Sequence, residues 1–187
     1  TLGLIGLGEV GQRVARVALA LGMPVVAFDP GVSTVPAGLE GLRLLPSVDE
    51  VVCIADVLSL HVPLNAATCG LMNAARFAQM RPGSILINTA RGEVVDEAAL
   101  ITALRDGPLR AAGLDTMATE PLPANSPLLA LPNVVLTPHV GGSTPAALAA
   151  MAQGAARTVL AYLQGEPIDA SACINPQVLA TPASVHS

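Results

Sequence analysis

Apolar runs of three to five residues recur along the chain, each closed by glycine, proline or a polar residue. They are Leu2 to Ile5, Val25 to Phe28, Leu42 to Leu45, Val57 to Leu60, Ser84 to Asn88, Ala111 to Leu114 and Val134 to Leu136. Runs this short and this predominantly apolar predict buried strands, as in a parallel sheet covered by helices. The stretches between most of them have helical spacing. One predicted helix spans Val10 to Leu21, with Gly22 placed to close it. Another opens at Ser47-Val48-Asp49-Glu50, which reads as a capping box. A third covers Ala74 to Met80 and is stopped by Arg81-Pro82-Gly83. A fourth is capped by Asp96, runs through Arg105 and ends before Gly107. The last is Ala-rich, from Thr144 to Leu163. This alternation predicts an α/β fold, a doubly wound parallel sheet with helices on both faces.

In such a sheet chemistry gathers at the carboxyl ends of the strands. Three residues there carry it. Arg91 stands in Thr89-Ala90-Arg91-Gly92, Glu120 in the segment from Asp115 to Pro121, and His139 in Thr137-Pro138-His139-Val140-Gly141-Gly142. A guanidinium grips an anionic group with two prongs. An imidazole moves a proton near neutral pH, and a carboxylate orients it. The set suits a substrate bearing a carboxylate and a hydroxyl or carbonyl group. A surface arginine, a turn-capping glutamate and a core histidine are the bland alternatives. The buried strand before Arg91 and the glycines after His139 favour the chemical reading.

Gly6-Leu7-Gly8-Glu9-Val10-Gly11 is a GxGxxG motif between a strand and a helix, and the next strand ends at Asp29, eighteen residues beyond Gly11. Gly6 permits the turn, Gly8 lets backbone approach a pyrophosphate, and Gly11 lets helix and strand pack closely. The phosphates then face amides at the helix amino terminus. Asp29 can accept hydrogen bonds from a ribose and repels a 2′-phosphate, and no Arg or Lys lies between Pro30 and Leu39. That selects NAD over NADP. Glu9 is an oddity, because a carboxylate beside pyrophosphate is unfavourable unless it points to solvent.

Composition sharpens the picture. The 187 residues are 52% hydrophobic and 12% charged, so some apolar surface is expected to be covered by a partner domain or subunit. Net charge is −5 with no basic run, which argues against nucleic acid. No apolar run is long enough to cross a membrane. Cys53, Cys69 and Cys173 lack metal-ligand or CxxC spacing, so no metal site is expected and a reducing cytoplasm fits. Cys53 reads as a core residue. With no leader ahead of the first strand, no signal peptide is expected.

With these motifs in hand, the chain resembles the D-isomer-specific 2-hydroxyacid dehydrogenases, over about Thr1 to Asn175. The resemblance rests on GLGEVG, AFDP at 27 to 30, LHVPL at 60 to 64, MRPGSILINTARGEVVDE at 80 to 97, AGLDTMATEP at 112 to 121 and TPHVGGST at 137 to 144. It implies an NAD-dependent enzyme moving hydride between NAD and a small D-2-hydroxy acid. Arg91 would bind the substrate carboxylate and carbonyl, His139 would be the acid/base, and Glu120 would support His139. Asp115 would orient the nicotinamide carboxamide. Val62-Pro63, Thr68 and Thr89-Ala90 would lie beside the nicotinamide and ribose. Glu9 and Val10 of the glycine loop, Pro30 after Asp29, Arg91 and His139 themselves, and Gly141 and Gly142 after His139 complete the expected cofactor contacts. The usual DVFxxEP stands here as DTMATEP, with Thr116 and Met117 altering packing.

The resemblance also implies a second domain, built largely from an upstream segment. The chain is therefore expected to be residues 1–164 of cofactor domain plus a tail, 165–187, that returns toward a substrate domain absent here. It is expected to bind NAD yet turn over little by itself, and to pair as a homodimer through the Ala-rich helix. The expected substrates are 3-phosphoglycerate, then hydroxypyruvate and glyoxylate. His61 has either a structural or a cofactor-edge role, and His186 is expected to be solvated. A different reading is an NAD(H)-sensing module that binds protein partners. The β-hydroxyacid dehydrogenases share an early GLGxxG but need a catalytic lysine, for which this chain has no plausible candidate.

Overall fold

The computed structural model describes residues 1–175 and 177. The chain divides into two compact units, Thr1–Val140 and Gly141–Ser187. The first holds β1 (Leu2–Ile5), α1 (Glu9–Ala20), β2 (Val25–Phe28), β3 (Leu42–Leu44), α2 (Val48–Ile54), β4 (Val57–Leu60), α3 (Ala74–Gln79), β5 (Ser84–Asn88), α4 (Glu97–Arg105), β6 (Leu109–Leu114) and β7 (Val134–Leu136). The second holds α5 (Pro145–Leu163). The seven strands form one parallel sheet in the order β3-β2-β1-β4-β5-β6-β7. The chain walks outward from β1 to β3, then returns to the other side of β1, so a topological switch point lies between β1 and β4.

Alternate residues of the strands feed two separate hydrophobic layers. Leu2, Leu4, Val25 and Ala27 pack with Ala15 and Ala18 of α1. Ile5, Val26, Leu58, Leu60 and Leu86 pack with Val51 and Val52 of α2, Phe77 of α3 and Leu100 of α4. Helices therefore lie on both faces, and removing a side chain such as Phe77, 2% exposed, would cost about 3–5 kcal/mol.

The helix starts follow the expected chemistry. Ser47, Asn73 and Asp96 accept from the backbone N–H three residues on, at Glu50, Arg76 and Ala99. In α2 the buried face is Val48, Val51 and Val52. The next residue turns about 100° away, so Cys53 is exposed, with Sγ 3.6 Å from Gln79 Oε1, and is not the core residue expected. Strand β6 begins two residues earlier than expected, at Leu109, and a register shift opposite Ser84 and Ile85 absorbs Arg110.

In the second unit, α5 is capped by Thr144 and buries none of its side chains. Leu148, Met151, Val159, Leu160, Tyr162 and Leu163 are all exposed. No helix among the described residues is long and apolar enough to cross a membrane. His186 lies outside the described residues.

Candidate functional site

Sheet register builds the site. Ile5 pairs with Phe28 and Leu60, Leu60 with Asn88, Asn88 with Leu114, and Leu114 with Leu136. The residues one step beyond that line are Gly6, Asp29, His61, Thr89, Asp115 and Thr137. A parallel sheet thus presents the glycine loop, Asp29, the Arg91 loop and the His139 loop along one edge.

At the glycine loop, Gly6 has φ +94, and a Cβ there would lie 2.4 Å from the His61 carbonyl oxygen. Gly11 is as tight, with a would-be Cβ 2.4 Å from the Gly6 carbonyl oxygen, whereas a Cβ on Gly8 would meet nothing within 4 Å. So Gly6 and Gly11 close the turn, and Gly8 leaves its outer face open to a ligand. Helix α1 opens at Gly8 with no side chain capping it, so its first amides are available to an anion. Glu9 points to solvent, 80% exposed, and pairs with Arg13.

Asp29 joins the loop to the end of β2. Its Oδ2 accepts from Leu7 N at 2.7 Å and its Oδ1 from Gly31 N at 2.8 Å. Each carboxylate oxygen retains acceptor capacity for a diol. Pro30 follows it, exposed. These residues fit an adenosine ribose and a pyrophosphate.

A cleft of about 420 Å³ brings Val10 of the glycine loop together with Val62, Pro63, Thr89, Ala90 and Arg91, and His61 lines it too. His61 is half-buried, and Ser59 Oγ lies 3.0 Å from its Nε2. Burial holds the imidazole below its ordinary pKa. Thr68 lies on the neighbouring loop, where its hydroxyl donates to the Pro63 carbonyl oxygen at 2.6 Å.

Asn88 shapes the Arg91 loop. It is 1% exposed, its Oδ1 accepts from Ala90 N at 3.0 Å, and its Nδ2 donates to the Arg91 carbonyl oxygen at 2.9 Å. The loop is pressed against the segment leading to Glu120, since a Cβ on Gly92 would fall 1.9 Å from the Met117 carbonyl carbon. Arg91 is exposed, and its Nη1 donates to the Ala90 carbonyl oxygen at 2.6 Å.

His139 and Glu120 meet. His139 Nδ1 lies 2.9 Å from Glu120 Oε2, with the two side chains 46% and 35% exposed. Glu120 Oε1 accepts from Met117 N at 3.0 Å. The bond to His139 first, and the Met117 amide second, hold the Glu120 carboxyl below its ordinary value. With Nδ1–H donated to the carboxylate, Nε2 is the nitrogen that can accept a proton. His139 itself sits at φ 55, and Asp115 brackets it. Asp115 Oδ1 accepts from Thr137 Oγ1 at 2.5 Å and from Val140 N at 2.9 Å. Gly141 and Gly142 belong to the second unit.

The sequence reading missed Asn88 and Thr137. Asn88 had one signal, a polar residue closing an otherwise apolar strand. An apolar hollow of about 610 Å³ flanks Glu120, lined chiefly by Pro121, Leu122, Leu129 and Leu136.

The family model described as D-isomer specific 2-hydroxyacid dehydrogenase, NAD binding domain, matches residues 1–141. The chain is 46% identical over 166 residues to D-3-phosphoglycerate dehydrogenase of Mycobacterium tuberculosis, covering 89% of this chain and 31% of that protein. It is 40% identical over 180 residues to glyoxylate/hydroxypyruvate reductase B of Yersinia enterocolitica, covering 96% and 54%. The structure of D-lactate dehydrogenase with NAD⁺ from Lactobacillus jensenii superposes with TM-score 0.79 at 38% identity, covering 89% and 53%. The chain thus spans about a third of the length of the D-3-phosphoglycerate dehydrogenases it matches.

Proposed function

The chain belongs to the D-isomer specific 2-hydroxyacid dehydrogenases, as an NAD-binding domain of that family, and we propose that the whole protein interconverts a small D-2-hydroxy acid and its 2-oxo acid. The carrying observation is the His139–Glu120 pair at 2.9 Å, standing past the end of β7 on the sheet edge that also presents the glycine loop. NAD, when bound, supplies the hydride acceptor. The residues of the chain do the rest. Arg91 holds the substrate carboxylate, and His139 Nε2 takes the hydroxyl proton as hydride leaves C2. In reverse, protonated His139 returns that proton to the developing alkoxide. Glu120 orients the ring and balances its charge. Asp115 holds the Thr137 hydroxyl on one side of His139 and the Val140 amide on the other. Val62, Pro63, Thr68, Thr89 and Ala90 line the nicotinamide and ribose, and Asp29 holds the adenosine ribose.

The substrate we place first is D-3-phosphoglycerate, because the relatives at 44–46% identity bear that dehydrogenase's name. Hydroxypyruvate or glyoxylate is the second reading, favoured by the 96% coverage against the Yersinia reductase. Arg91, Glu120 and His139 are all exposed, so the reading assigns the second wall of the cleft to a substrate domain in the rest of the full-length protein. It also includes pairing of two copies through the apolar α5, and a cytoplasmic setting, which suits three free cysteines. The test is stereochemical. The full-length protein should reduce NAD with the D enantiomer of a 2-hydroxy acid and not with the L. Equal rates with both enantiomers would overturn the reading. Sedimentation at tens of micromolar should show a dimer, and a monomer there would remove the pairing.

A further inference from the structure

Beside the contact between the Arg91 loop and the Glu120 segment lies a small, partly open space of about 10 Å³. Leu100, Leu114 and Leu128 line it together with Asn88, Glu97 and Thr116. Thr116 is 2% exposed. Its Oγ1 is fully buried, and among the described residues no protein group hydrogen-bonds to it. A buried hydroxyl with no partner costs free energy, and such groups are rare in native interiors. Thr116 also stands where the DVFxxEP pattern has an isosteric valine, which would fit the same space without that cost.

The dimensions suggest what satisfies it. A space of roughly 10–15 Å³ admits one water, provided two to four polar groups surround it. Asn88 has the capacity. One N–H of its amide donates to the Arg91 carbonyl oxygen, and its Oδ1 accepts one bond, from Ala90 N. The second N–H and a second lone pair remain. Glu97, half-buried at the start of α4, also lines the space.

We propose that this cavity is a binding site for one structural water, held by Thr116 Oγ1 with Asn88 and Glu97. The water links the strand end that carries Asp115 to the residue that shapes the Arg91 loop. It adds a polar tie under a contact that is already tight, since a Cβ on Gly92 would fall 2.1 Å from the Met117 carbonyl oxygen. The inference concerns the support of the loop and stands whatever substrate the protein takes.

A crystal structure at a resolution that shows ordered waters tests it directly. The expected result is a density peak inside the cavity within hydrogen-bonding distance of Thr116 Oγ1, kept in Thr116→Ser and lost or displaced in Thr116→Val. A dry cavity, or a threonine rotamer that bonds a protein atom, would overturn the proposal. Thermal unfolding gives an independent sign. With a bound water, Thr116→Val removes one of its partners and should lower Tm. With an orphan hydroxyl, the same change replaces a costly polar group by a methyl, so a raised or unchanged Tm would also overturn it.

Discussion

Replacing Asp29 with serine should erase most of the preference for NADH over NADPH. Asp29 is half-buried at the end of β2, and both of its oxygens are fixed by backbone amides, Leu7 N and Gly31 N. It therefore cannot swing away from a 2′-phosphate. Two unit charges about 4 Å apart repel by about 1 kcal/mol in bulk water and by about 4 kcal/mol at an effective dielectric constant of ~20. A half-buried group lies between those limits, which corresponds to a preference of about 5-fold to about 1,000-fold in Kd. Serine removes that repulsion. It also removes a charged acceptor from the ribose hydroxyls and from Leu7 N. Hydrogen bonds to charged groups contribute about 1.5–3 kcal/mol, so NADH should bind about 10- to 100-fold more weakly. NADPH should bind the variant as well as it binds the wild type, or better. The chain has no tryptophan, so the titration should follow the fluorescence of the nicotinamide itself, or heat. Equal NADH and NADPH affinity in the wild type, or an unchanged ratio in Asp29→Ser, would refute the role of this carboxylate.

Other outcomes follow from the same geometry. The folded-state value of Glu120 is depressed, so its contribution to stability is present above the ordinary 4.5 and is lost as pH falls through the lower folded value. The Tm difference between wild type and Glu120→Gln should therefore shrink as pH falls below 4.5; a difference that persists at low pH contradicts the pairing with His139. His61 is held below 6.5 by burial, so the unfolded chain binds the extra proton first, and stability should fall as pH drops from 6.5 toward the folded value. His61→Asn should flatten that slope in a series of thermal melts, and an unchanged slope would assign it elsewhere. Arg91→Lys keeps the charge and loses the two-pronged grip. In full-length protein kcat/KM should fall by about tenfold or more, with NADH affinity nearly unchanged. A silent substitution would remove Arg91 from the substrate.

What could be read from the chain followed physical scale. Buried strands write themselves as short apolar runs, and the edge strands β3 and β7, each exposing its middle residue, keep apolar residues on either side of it, so all seven were legible. The glycine loop and Asp29 were legible because their chemistry is local, confined to a turn and the strand after it. Features that depend on packing were not. Cys53 looks apolar in a row of apolar residues, and only the docking of α2 decides that Val51 and Val52 face inward. Arg110 breaks the apolar run of β6, which hid the first two residues of that strand. The 3₁₀ turns at Gly92–Val94 and Pro127–Ala130 carry no repeating pattern. The grip of Asp115 on Thr137 and Val140 joins residues that only the pairing of β6 with β7 brings together. Each candidate catalytic residue was legible as a type at a strand end. The 2.9 Å approach of His139 to Glu120 was not, because it depends on the path of two loops.

NADH oxidation should be followed in full-length protein and in His139→Ala, with 3-phosphohydroxypyruvate, hydroxypyruvate and glyoxylate as acceptors and NADH affinity measured in parallel. The expected result is saturable turnover of at least one acceptor by the wild type, lower by about 100-fold or more in His139→Ala while NADH still binds. Tight NADH binding with no turnover of any 2-oxo acid would contradict the catalytic account and leave an NAD(H)-sensing module, and turnover that survives in His139→Ala would place the acid/base elsewhere.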